Sequence, residues 1–153
     1  MRLNWYKTLP EAYQAMIQLE KFAEETSLEP KLKELVKIRA SQINGCAHCL
    51  EMHTKDARAI GETEDRLNVL AAWREAPFYT ERERAALSWC EALTLISQTC
   101  APDEAYAEVE RLFSPKEIVE LTIVIVTING WNRLAVGFRS NVGGYISHRK
   151  PEE

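Results

Sequence analysis

Cys46, Cys49 and His53 stand three and four residues apart. On a helix those offsets stack all three side chains on one face. Two thiols that can bridge, with an imidazole beside one of them, are the minimum equipment for thiol–disulfide or peroxide chemistry. The thiolate is the nucleophile, and its neighbours decide how much of it exists. Partial burial raises a thiol's pKa, whereas a helix N-terminus and a nearby imidazole lower it, to roughly 3.5–7.5 in favourable cases. Helix-end reasoning makes Cys46 the more acidic thiol, and the four-residue offset to His53 favours Cys49. On a helical wheel Cys46, Cys49, Leu50, His53, Ala57 and Ile60 share the inward arc. His48, Glu51, Lys55 and Arg58 fall on the other side, so His48 reads either as a surface residue or as a participant at a poorly defined first turn.

The competing chemistry is zinc, for which Cys46, Cys49 and His53 are three acceptable ligands. A structural site needs a fourth, and only the fold could bring Cys90, Cys100 or His148 to it. Cys90 lies on the apolar stripe Ala86, Trp89, Cys90, Leu93 and reads as a plain core residue.

These side chains need a scaffold, and the chain spells out a helical one. Its 153 residues fit one domain, 1–153, with a loosely held tail at 142–153. A net charge of −4 without a basic stripe argues against nucleic acid as a partner. The N-terminus lacks a signal-peptide core, and the apolar run Ile118 to Ile128 is too short for a bilayer. Those features, with a Cys-x-x-Cys and no disulfide-rich pattern, predict a cytoplasmic protein with no membrane partner.

Pro10 opens a helical pattern to about Thr26, and Pro30 starts a second in which Leu32, Leu35, Val36, Arg39 and Ile43 form a stripe. Glu34 falls opposite that stripe and reads as solvated. A third helix spans Cys46 to Ile60 with Gly61 as its stop, and a shorter one covers Glu64 to Trp73. Thr80 with Glu83, and Ser114-Pro115 with Glu117, are capping-box starts. The second launches Thr122 to Ile128, strand-prone by composition yet helical by context. Apolar all round, that helix should form the central core or a subunit interface. Residues 30–45 align with 115–130, sharing Pro-Lys at the start and Asn-Gly at the end. Both copies then read as a helix that ends at Asn-Gly and is followed by another, with Trp131 in place of Cys46, Leu134 in place of Cys49 and Phe138 in place of His53.

The segment from Glu34 through Asn44-Gly45-Cys46-Ala47-His48-Cys49 to His53 resembles the AhpD-like alkylhydroperoxidase branch of the carboxymuconolactone decarboxylase family. Asn129-Gly130-Trp131-Asn132-Arg133-Leu134 is similar to family sequence as well. The resemblance implies an all-α bundle that assembles as a homo-oligomer, trimer or hexamer. It implies peroxide or disulfide reduction without flavin, haem or metal. By position, Cys49 would be the peroxidatic cysteine and Cys46 the resolving one. His53 would take the thiol proton, Glu34 would orient it or relay to it through water, and His48 would be implicated too. The reductant would be an external dithiol, a lipoyl group or a thioredoxin-like protein. Alternatives are a disulfide reductase feeding a peroxiredoxin, a lactone decarboxylase in which two cysteines have no evident task, and a zinc-stabilised non-enzymatic protein.

Overall fold

The computed structural model describes residues 1–150, and among these it contains helices and no strand. In chain order they are α1 (Trp5–Thr8), α2 (Pro10–Glu24), α3 (Pro30–Ile43), α4 (Ala47–Ala59), α5 (Glu64–Asn68), a 3-10 turn (Leu70–Ala72), α6 (Glu81–Thr94), α7 (Ile96–Thr99), α8 (Asp103–Leu112) and α9 (Pro115–Phe138). The all-α expectation holds, and the starts follow the capping chemistry. Thr80 and Ser114 each accept the N3 amide while Glu83 and Glu117 bond back to the cap, so both capping boxes form. The segment expected as one helix from Glu64 to Trp73 divides into α5 and the 3-10 turn.

α3, rather than α9, is the helix enclosed on all sides. One flank of α3 (Leu32, Val36, Ala40) joins Ala86, Trp89 and Cys90 of α6 and Leu121, Ile125 and Ile128 of α9. Another flank (Leu35, Ile38) packs with Ala57, Leu67, Leu70, Trp73 and Leu87. Its third flank carries Lys33, Glu34 and Lys37, all buried. By length and composition α9 could cross a membrane, but it lies along this core with Asn129 and Asn132 buried. Its opposite edge leaves Val119 and Val126 more than half exposed, so the all-round apolar run is buried on one side only.

The internal repeat is expressed unequally. α3 ends at Ile43, and Gly45 turns the chain at φ +64° before α4. At Asn129-Gly130 the helix does not end, and α9 runs on to Phe138. A Cβ on Gly130 would sit 3.0 Å from the Met16 methyl of α2, so glycine here permits close helix packing rather than a turn. From the expected tail, residues 151–153 lie outside the described residues, and 140–150 carry no helix.

Candidate active site

The turn at Gly45 makes Cys46 the N-cap of α4, and the Cys49 amide donates to its Sγ at 3.4 Å. Cys46 and Cys49 are joined as a disulfide, their Cα atoms 5.4 Å apart and both residues almost fully buried. One turn further, His53 is buried on the same face. Its Nδ1 lies 2.9 Å from Glu34 Oε2 of α3, an arrangement in which Nδ1–H donates to the carboxylate. In the neutral imidazole Nε2 would then carry the lone pair, the tautomer a general base requires.

Glu34 is therefore no solvated glutamate: it is 3% exposed and touches His53 directly rather than through water. The residues of the α3 stripe divide between two flanks, Leu32 and Val36 on one and Leu35 on another, with Arg39 paired to Glu91, and the face that bears Glu34 is covered by α2 and α4. Three further residues of the site were not singled out from the sequence. Asp56, seven residues after Cys49 and three after His53 and so on the same helical face, is buried and accepts the Tyr145 hydroxyl at 2.8 and 2.9 Å. Arg149 Nη2 lies 2.6 Å from Glu24 of α2 and 3.8 Å from the second oxygen of Glu34. Both partners come from about ninety or more residues away in the chain, beyond the reach of any local pattern.

The C-terminal segment reaches this place by lying along the outward face of α4. Asn141 C=O accepts from His48 Nδ1 at 2.7 Å, Glu51 accepts from the Gly143 amide at 2.6 Å, and Lys55 donates to Tyr145 C=O at 2.8 Å. His48, Glu51 and Lys55, which the wheel turns away from the cysteines, thus anchor that segment. His48 also lines the cleft beside Cys49.

That cleft encloses about 620 Å³. Trp5, Tyr13, Trp131 and Leu134 form an apolar wall, and Asp56, Glu24 and Arg149 a charged one beside His53. Behind the charged wall, fully buried Lys37 Nζ bonds Glu20 at 2.7 Å and also Glu24. Burial would lower the Lys37 pKa, but Glu20, Glu34 and Glu24 outweigh it and hold it high. Burial likewise favours neutral Glu24, yet Lys37 and Arg149 pull its pKa down to about 2. Burial, then the bond to Asp56, pushes the Tyr145 phenol up to about 12, so it remains a donor. Glu34, His53 and Asp56 could offer a metal one atom each within 4.8 Å of one another, but their oxygens already serve His53, Arg149 and Tyr145. The zinc set Cys46, Cys49 and His53 needs thiolates that a disulfide does not provide. Of its suggested fourth ligands, Cys90 is buried in the core with its thiol pushed by burial to about 12, and Cys100 is exposed at the end of α7.

A model of the carboxymuconolactone decarboxylase family matches residues 10–92, which include the whole cysteine–histidine–glutamate constellation. The chain belongs to that family. It is 43% identical over 135 residues to YdfG of Bacillus subtilis, an uncharacterized protein, covering 88% of this chain and 92% of that one. A crystal structure from Agrobacterium tumefaciens superposes with a TM-score of 0.91 at 46% identity, covering 94% of this chain and 99% of that one. That protein, ATU0492, is of unknown function, and a role in antioxidant defence as AhpD has been suggested for it. The debrominase Bmp8 shares the fold at a TM-score of 0.79 and 21% identity, covering 90% of this chain and 74% of that one.

Proposed function

We propose that this chain is a thiol-dependent hydroperoxide reductase with a peroxidase-related antioxidant role. The observation that carries the reading is a Cys46–Cys49 disulfide beside a cleft that Cys49 lines, with His53 one helical turn further on and bonded through Nδ1 to Glu34. In the reduced protein His53, backed by Glu34, takes the Cys49 proton, and the thiolate attacks the terminal peroxide oxygen. The O–O bond breaks, leaving Cys49 as a sulfenic acid and releasing an alcohol, or water from hydrogen peroxide. The Cys46 thiol displaces that hydroxyl as water, closing the disulfide. An external dithiol, by family resemblance a lipoyl group or a thioredoxin-like protein, then reduces it by exchange and leaves oxidised.

The assignment of roles follows the offset to His53 and the family resemblance. Cys49 lies one helical turn from His53, and these outweigh the Cys49 amide that donates to Cys46 at the cap and by itself would favour the Cys46 thiolate. The disulfide also supports a second reading, in which the pair passes electrons from a dithiol to another protein's disulfide. Turnover of hydroperoxide with a supplied dithiol separates the two. Cys49→Ser should abolish turnover, and Cys46→Ser should react once with peroxide and stop. Equal activity in wild type and both variants rejects the roles.

A further inference from the structure

We propose that Arg149 is a positioning residue for the Cys49–His53 pair, its guanidinium setting from the C-terminal segment the pH range in which that pair becomes reactive. The proposal rests on the reading above for the identity of the pair. His53 donates to one oxygen of Glu34, and Arg149 stands 3.8 Å from the other. The guanidinium is thus one carboxylate removed from the imidazole. It is held there by Glu24 at 2.6 Å, and the segment bearing it is tied down by Tyr145 on Asp56.

The charges around His53 come from every neighbouring element. α2 supplies Glu20 and Glu24, and α3 supplies Glu34 with Lys33 and Lys37. α4 adds Asp56 and the rim imidazole of His48, and the C-terminal segment adds Tyr145 and Arg149. Tyr145 stays neutral, so the carboxylates outnumber the cations by one when His48 and His53 are neutral. Removing Arg149 makes the surroundings more negative still. Two coupled groups share their protons, so the change acts on the pair as a whole. Whether the shared proton rests on Cys49 or His53, a lost cation raises both of its apparent pKa values. Glu24 keeps Lys37 as a partner when Arg149 is removed, and the Arg149 side chain is 41% exposed.

The test is the pH dependence of Cys49 alkylation by iodoacetamide in the reduced full-length chain, read by peptide mass in a Cys100→Ser background. Arg149→Met should move the rise in rate to higher pH by about 0.5–1 unit, allowing for solvent screening of a partly exposed charge. Arg149→Gln, which keeps a donor for Glu24 but no charge, should move it equally, and Arg149→Lys should restore it. An unmoved rise in Arg149→Gln, or a uniform drop in rate at every pH, overturns the proposal and leaves Arg149 a mechanical anchor. Alkylation requires no peroxide activity. Failure of peroxide turnover with the shift intact would reject only the proposed function.

Discussion

Asn44-Gly45 and Asn129-Gly130 occupy matching places in the internal repeat and meet opposite fates. At the first, glycine adopts φ +64° with nothing within 4 Å of where a Cβ would stand, and the helix breaks. At the second, glycine stays helical, and the Met16 methyl lies 3.0 Å from where a Cβ would stand. The two sites also touch. The Asn44 amide donates to Asn129 at 3.0 Å and to Asn132 at 2.8 Å, and Asn132 in turn donates to Ser41 at 3.0 Å. The unbroken copy therefore buttresses the broken one. What the break supplies is a helix N-terminus carrying Cys46 at its cap, which a continuous helix could not offer. Trp131, in the place of Cys46, lines the apolar wall of the cleft instead.

Variants at these positions can break or sharpen that contrast. The largest effect is the loss of all turnover in Cys49→Ser, because no residue of the unbroken copy can substitute for it. Next, Asn44→Ala strips the buried Asn132 carbonyl of its donor and should cost about 2 kcal/mol, read from the urea midpoint. Gly45→Ala forces a side chain into a left-handed conformation and should cost about 1–2 kcal/mol by the same measurement. Gly130→Ala is smallest. A helix-propensity gain of up to about 1 kcal/mol opposes displacement of the flexible Met16 tip, so stability should change by less than about 1 kcal/mol. Were Gly130→Ala the more damaging of the two glycine changes, the contrast would be wrong.

The parts of this molecule that local chemistry specifies were legible in its sequence. Thr80 with Glu83 and Ser114 with Glu117 announce their helices because a cap involves only four consecutive residues. The shared face of Cys46, Cys49 and His53 follows from helical spacing alone. Glu34 was invisible to that logic, since spacing on α3 separates faces without saying what covers the second one. Family resemblance placed it near His53; only the fold shows the contact as direct. Gly130 misled because the same dipeptide signals a turn or a close approach depending on a neighbour, Met16, more than a hundred residues earlier. Asp56 was within reach of that same helical spacing, three residues beyond His53, whereas Tyr145 and Arg149 were not, because their pairing is decided by where the C-terminal segment lies.

The most direct test of the central claim is a thiol count on fully reduced protein, quenched under denaturing conditions before and after one equivalent of hydroperoxide. The account predicts that two of the four thiols disappear, that mass mapping finds Cys46 joined to Cys49, and that one equivalent of alcohol is formed. Four surviving thiols, or oxidation that falls on Cys100 while Cys46 and Cys49 stay reduced, would contradict it.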